Sequence, residues 1–242
     1  MTSGTETPLT SCTETALTDR TLLTDRTFEA VLFDMDGTLI DSTGSVERSW
    51  VRWARARGID RASFDVAHGV PARQILAAFL SAAEVEASLA EIEAMEVADA
   101  EGIVVLPGAL EALAALPDGR AAIATSCTQS LARARIEATG LPVPAVVVTA
   151  DDVAVGKPDP GPYLLAASRL GVDPSRCLVV EDAPAGLVAG RAAGCATLAL
   201  STTHAVGRLC ADAVVGTLAD VTFVADDGGV RLQVHRPGGG GR

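Results

Sequence analysis

Short apolar runs recur along this chain at Ala30 to Phe33, Ala121 to Thr125, Ala145 to Thr149, Cys177 to Val180 and Ala196 to Leu200. Each has the length of a strand buried on both faces, as in a parallel sheet. Between most of them the apolar positions fall at helical spacing. Gln129 to Thr139 stops at Gly140, Pro162 to Leu170 at Gly171 and Ala185 to Ala193 at Gly194. A glycine just past the last periodic residue is a helix stop. The alternation predicts an α/β fold built on a doubly wound parallel sheet.

One connection breaks this rhythm. From about Ser42 to Leu106 there is no convincing strand, only helical patterns such as Val46 to Arg57 and Val85 to Ala100. Val46, Trp50 and Trp53 share one face, as do Val85, Leu89 and Ile92, so these stripes are expected to pack the core of a helical insertion. Near the C-terminus, VTFVADDGGVRLQV alternates apolar and polar residues around Asp227 and Gly228, which predicts a hairpin covering a sheet edge. Residues 1–28, with the near-repeat LTDRTLLTDRT, show no apolar periodicity before Phe28 and are expected to form a disordered tail. PGGGGR from Pro237 reads as a flexible end. The divisions are therefore a tail over 1–28, a core over 29–42 and 107–236, a helical cap over 43–106 and a second tail over 237–242.

Composition narrows the classes. With 48% hydrophobic but only 3% aromatic residues, the interior must be filled by Ala, Val and Leu, which suits helices packed on a parallel sheet better than a β-sandwich. A net charge of -12 argues against nucleic acid or an acidic membrane surface as partner, and an anionic substrate needs a local positive site. Cys12, Cys127, Cys177, Cys195 and Cys210 show neither paired zinc spacing nor the density of a disulfide scaffold, so a reduced cytoplasmic setting is expected. No membrane span or secretory signal is visible in the sequence. The expected form is a monomer or weak homodimer.

The chemistry gathers where strands end. Asp34 and Asp36 lie two residues apart at the end of the first run, just before Gly37. Two carboxylates this close resist ionising together unless a cation or a shared proton relieves them, so they suggest a metal site, an acid/base pair or both. Ser126, Lys157 and the pair Glu181, Asp182 follow later strands and converge with them if the sheet is parallel. Lys157 is the only lysine beside 18 arginines, as if a compact ammonium were required there. A strand-end hydroxyl, a cation and two acidic clusters describe a phosphoryl-transfer site. Ser126 also suits the cap of the following helix, and Cys127 reads as a small buried thiol. In the insertion, His68, Gly69 and Arg73 form a loop-like segment able to fold over the site.

Taken together, FDMDGT, ATSCT, GKPDP and VEDAPAG resemble, in order, the four motifs of the haloacid dehalogenase superfamily. VERSWVRWA, AHGVPA, LPGAL, TADDV and GKPDPGPYLLAA are similar to its sugar-phosphate phosphatases, the group of 2-deoxyglucose-6-phosphate and glycerol-phosphate phosphatases, over about Glu29 to Asp220. The resemblance implies a Rossmann-like core with an inserted alpha-helical cap. It also implies a Mg2+-dependent phosphatase of a small phosphorylated sugar or polyol. Asp34 would be the nucleophile, forming an aspartyl phosphate, and Asp36 the general acid and then base. The metal would be held by Asp34, Asp182 and the Asp36 backbone carbonyl, with Glu181 as a further ligand or partner. Ser126 and Lys157 would hold the phosphoryl oxygens, and His68 and Arg73 would meet the substrate from the cap. Cys127 stands where these phosphatases often have glycine.

Other members fit less well. A dehalogenase does not need Asp36 or magnesium, and the cap lysine of a phosphonate hydrolase is absent. A sugar-phosphate mutase would place a histidine soon after the first motif and a lysine in the cap, and neither is present. A sugar-phosphate mutase, a phosphatase of a phosphorylated secondary metabolite and a non-catalytic metabolite-binding module remain as alternatives.

Overall fold

A computed structural model describes residues 21–60 and 72–235. The chain starts with helix α1 (Thr21–Thr24) and strand β1 (Thr27–Phe28), then runs through β2 (Ala30–Phe33) to β3 (Ile40–Asp41). Residues 21–28, expected within a disordered tail, instead carry α1 and β1, and residues 1–20 lie outside the described residues. Leu23 and Phe28 are fully buried, and these two apolar anchors order a segment too short to show a period.

Three helices follow: α2 (Thr43–Ala56), α3 (Ala72–Ala77) and α4 (Ala82–Ala98). They bury Trp50, Trp53, Leu76, Val85 and Ile92 in a cluster of their own, with Val46 and Leu89 packed against it, so the two predicted stripes do meet. The return crosses β4 (Val104–Val105), antiparallel to β3, with Ile40 opposite Val105 and Asp41 opposite Val104. This short pair, missed in the sequence because two residues carry no alternation, forms the neck between core and cap.

The rest of the chain alternates as expected, through α5 (Ala109–Ala114), β5 (Ala121–Ala124), α6 (Gln129–Thr139), β6 (Val146–Val148), α7 (Gly161–Leu170), β7 (Cys177–Glu181), α8 (Pro184–Ala192), β8 (Ala196–Leu200) and β9 (Ala213–Val215). Six strands form one parallel sheet in the order β6, β5, β2, β7, β8, β9. β9 was not anticipated, since its three apolar residues are too few to register.

Side chains of β2 divide between two faces with period two. Val31 and Phe33 join the cluster that includes α5 and α6 residues, while Ala30 and Leu32 join Tyr163, Ala166 and Ala167 of α7. Both faces are covered, which is why the strand reads as an unbroken apolar run.

The predicted hairpin is β10 (Val221–Asp226) and β11 (Gly229–Val234), with Asp226 opposite Gly229. It does not cover an edge of the main sheet. With β1 it forms a separate three-stranded antiparallel sheet that lies on the sheet's face. There the Phe223 ring meets Phe33 of β2 edge-on, with centroids 5.9 Å apart. Alternation showed which residues turn inward but not which surface they meet.

From β2 the chain builds outward through β5 and β6, then crosses back to β7 on the other flank. Loops leaving the carboxyl ends of β2, β5 and β7 therefore diverge around a crevice, the usual ligand site of open α/β sheets. Among the described residues no helix is long and apolar enough to cross a membrane.

Candidate active site

Asp34 extends β2 by one step, its backbone N–H donating to the Val180 carbonyl at 2.9 Å. The chain then turns sharply through Gly37 at a φ of +84°. A Cβ at Gly37 would overlap the Asp182 carboxylate, so both the positive φ and the close approach require glycine there.

Three carboxylates converge across the ends of β2 and β7. Asp34, Glu181 and Asp182 each place an oxygen within 4.8 Å of the others, and all three are buried. A single cation enters the group. Lys157 Nζ donates to Asp34 Oδ1 at 2.5 Å and to Glu181 Oε1 at 2.7 Å, and it lies 4.8 Å from the Tyr163 ring centroid. Glu181 is saturated by protein donors. Its Oε1 also accepts from the Tyr163 hydroxyl at 3.0 Å, and its Oε2 accepts from the Asp182 and Ala183 backbone N–H groups at 3.0 and 2.9 Å. Asp182 accepts from Thr38 at 3.2 Å and from Thr203, leaving lone pairs on both oxygens. Asp34 Oδ2 accepts no hydrogen bond among the described residues.

The charges are poorly compensated. Burial raises the Asp34 carboxyl well above its usual value, Lys157 opposes this, and Glu181 and Asp182 raise it further. Burial and then the Glu181 charge push Asp182 up to about 7. Each carboxylate pair at this spacing repels by about 3 kcal/mol at an effective dielectric of about 20. One lysine cannot balance three carboxylates and an incoming phosphate. The donor set of closely spaced hard oxygens fits Mg2+, whose charge would supply what the protein lacks.

Glu181 owes its position to Gly186 of α8. A Cβ at that glycine would overlap Glu181 Oε1. Gly186→Ala is expected to cost about 1–3 kcal/mol through overpacking and to slow turnover as Glu181 releases Lys157. Gly207, where a Cβ would meet nothing within 4 Å, provides the control substitution. Urea unfolding that cannot distinguish Gly186→Ala from Gly207→Ala would remove the argument.

Asp36 faces away from this cluster. Its Oδ1 accepts from Ser42 Oγ at 2.7 Å and pairs with Arg135 Nη1 at 2.8 Å, and its Oδ2 accepts from the Cys127 thiol at 3.0 Å. Burial and then the Asp36 charge push the Cys127 thiol well above its usual value, so it stays protonated as a donor. Arg135 reaches on to Glu96 Oε2 of α4 at 2.8 Å. Burial opposes the guanidinium's charge, but Asp36, Cys127 and Glu96 outweigh it and raise its pKa.

The remaining expected residues are placed as follows. Ser126 is exposed and lines the same cavity as Asp34, Asp36 and Lys157. It does not cap the next helix. Thr128 does, accepting from the Leu131 N–H at 3.4 Å, because it is the residue directly before α6. Arg73 lies on the cavity wall from α3 and pairs with Glu86, both exposed. His68 and Gly69 lie outside the described residues. The cavity, about 860 Å³, is lined on its cap side by Trp50, Leu89, Ile92 and Glu93.

Tyr163, Thr203, Ser42, Arg135 and Glu96 were not anticipated. Only Arg135 left a signal, since it sits four residues after Leu131 on the buried stripe of α6, where a charge needs partners.

Residues 28–194 match the family model for haloacid dehalogenase-like hydrolases. The chain is 42% identical over 205 residues to hexitol phosphatase A of Escherichia coli (strain K12), covering 82% of this chain and 95% of that protein. It is 39% identical over 191 residues to glycerol-1-phosphate phosphohydrolase 2 of Saccharomyces cerevisiae, covering 72% and 75%. Among solved structures it is similar to CbbY from Rhodobacter sphaeroides in complex with phosphate, with a TM-score of 0.66, 26% identity and coverage of 80% and 96%.

Proposed function

This chain belongs to the haloacid dehalogenase-like hydrolase family, and on that footing we propose that it is a Mg2+-dependent phosphatase acting on a small phosphorylated sugar or polyol through an aspartyl phosphate on Asp34. The observation that carries this reading is the grouping of Asp34, Glu181 and Asp182 around one buried ammonium, with Asp34 Oδ2 left uncommitted.

In this reading Asp34 Oδ2 attacks phosphorus. The new acyl phosphate bond forms as the bond to the sugar oxygen breaks, and the departing alkoxide takes a proton from Asp36. Asp36, now a carboxylate, removes a proton from water. The resulting hydroxide displaces Asp34 and releases inorganic phosphate, returning Asp34 as a carboxylate and Asp36 as the protonated acid. Splitting the reaction in this way replaces one very slow step by two easier ones. Lys157 and Ser126 hold the transferring oxygens, and Lys157 also opposes the rise that burial imposes on the Asp34 carboxyl. Asp34, Asp182 and the Asp36 carbonyl would hold the metal, which supplies positive charge to the nucleophile and the transferring group when bound. Glu181, with both oxygens already occupied, holds Lys157 in place rather than serving as a ligand.

The relatives' names point to the substrate class, hexitol phosphate and glycerol phosphate. The cavity agrees in size and charge. Its described cationic side chains are Lys157 and Arg73, and Arg73 is paired with Glu86, which suits one phosphate and an uncharged hydroxyl-bearing remainder. In this reading Arg73, one of several cap residues that line the cavity, meets that remainder.

The test is phosphate release from hexitol 6-phosphates, glycerol 1-phosphate and 2-deoxyglucose 6-phosphate, with Mg2+ and after chelation. Turnover on at least one of these is expected to fall by about 10²-fold or more on chelation and to return when Mg2+ is added. Turnover unchanged by chelation, or absent on the whole panel, would overturn the proposal.

A further inference from the structure

Arg135 is a costly residue to place where it is. Its side chain is 4% exposed, its Nε finds no hydrogen-bond partner among the described residues, and its two terminal nitrogens go to carboxylates on different parts of the protein. Nη1 meets Asp36 on the core loop, and also Cys127 Sγ at 3.1 Å. Nη2 meets Glu96 on cap helix α4. Stability alone is a weak reason for this arrangement, because buried ion pairs gain little over well-packed apolar groups and an unpaired buried N–H costs about 1–3 kcal/mol.

What the arrangement does provide is orientation. The Asp36 carboxylate is fixed by three donors, Ser42, Arg135 and Cys127. Two of these depend on the cap: Ser42 sits directly before α2, and Arg135 is tethered to α4. Helices α4 and α6 are joined again a turn away, where Glu93 of α4 accepts from Thr128 at 2.5 Å and Ser130 at 2.9 Å. Polar contacts thus join α4 to α6 at two successive turns.

We propose that Arg135 is a positioning residue that couples the seating of the cap to the orientation of Asp36, with Glu96 as its anchor on the cap. When α4 withdraws, Arg135 loses one of its two carboxylates and Asp36 loses its fixed bearing. Proton delivery to the leaving group is thereby restricted to the seated cap. The proposal rests on the reading of Asp36 as general acid.

The test compares kcat/KM for two substrates of the full-length enzyme with Mg2+. This quantity reads only the half-reaction up to release of the alcohol. A hexitol phosphate needs its alkoxide protonated, whereas p-nitrophenyl phosphate leaves as a stable anion. Arg135→Met is expected to lower kcat/KM by about 10²-fold for the hexitol phosphate and by less than about threefold for the aryl ester. The milder Glu96→Gln, which keeps Arg135 beside Asp36, is expected to show the same selectivity at about tenfold. Equal losses on both substrates in Glu96→Gln and in any folded Arg135→Met would mean a merely structural role and overturn the proposal. Asp36→Asn separates the two failures. If it spares the aryl ester and the other variants do not, the coupling is wrong. If it lowers both substrates equally, the general-acid reading itself fails.

Discussion

Asp34→Asn is expected to abolish turnover, by about 10⁴-fold or more, while the protein remains folded and able to bind phosphate. The amide matches the carboxylate in shape but its oxygen is a poor nucleophile and cannot release from an acyl phosphate. The fold should tolerate the change, because losing the Lys157 contact is offset by relief of repulsion from Glu181 and Asp182, which lie within 4.8 Å. Rapid-quench mass spectrometry should find a phosphorylated aspartate in the native protein and none in the variant. Substantial turnover in a purified Asp34→Asn protein would rule Asp34 out as the attacking group.

Lys157→Met should damage stability and activity together. Lys157 is 5% exposed and bonds two carboxylates that are themselves buried, so its loss strands both. Breaking a buried ion pair from one side costs about 3–5 kcal/mol, well above the near-neutral effect of replacing a surface lysine. The kcat should fall by at least about 10²-fold, as when a donor to the transferring oxygens is removed. Mg2+ should raise the Tm of the variant more than that of the native protein, because the cluster is then more negative. Thermal unfolding with and without Mg2+ measures this directly. A stability loss below about 1 kcal/mol would mean that the three carboxylates are not ionised around Lys157.

How much of this was legible in the sequence follows from how each feature is encoded. β2 and β8 were visible residue for residue because every side chain in them is buried, giving unbroken apolar runs. β1, β4 and β9 were not, since two or three residues cannot display a period. Leu23 and Phe28 show the same limit: two anchors order the segment after residue 20, and isolated apolar residues in a polar stretch carry no pattern. The hairpin was visible but its docking on Phe33 was not, because alternation defines an inner face and not its partner.

The site divides in the same way. Asp34, Glu181 and Asp182 stand at strand ends and Lys157 in the loop between β6 and α7, where chain position alone predicts convergence, and the structure brings those four together. Asp36 was visible as a neighbour of Asp34, yet its side chain turns to Ser42, Cys127 and Arg135. That choice depends on Cys127, 91 residues further along the chain, and on Arg135 of α6, which Glu96 of α4 holds in turn. Glu181 illustrates a subtler gap. Its acidity suggested a metal ligand, but its function depends on how many of its lone pairs are already taken.

The solitary lysine has a practical meaning as a chemical address. All other cationic side chains that do not titrate near neutrality are guanidinium groups, so the whole chain offers a single side-chain amine, held against Asp34 behind the cavity. An amine-selective probe that reacts with a side chain can therefore report only on this one location. Buried and ion-paired with Asp34 and Glu181, it is expected to react slowly, and more slowly still with phosphate in the cavity, so its labelling rate reads the occupancy of the site without any engineered label.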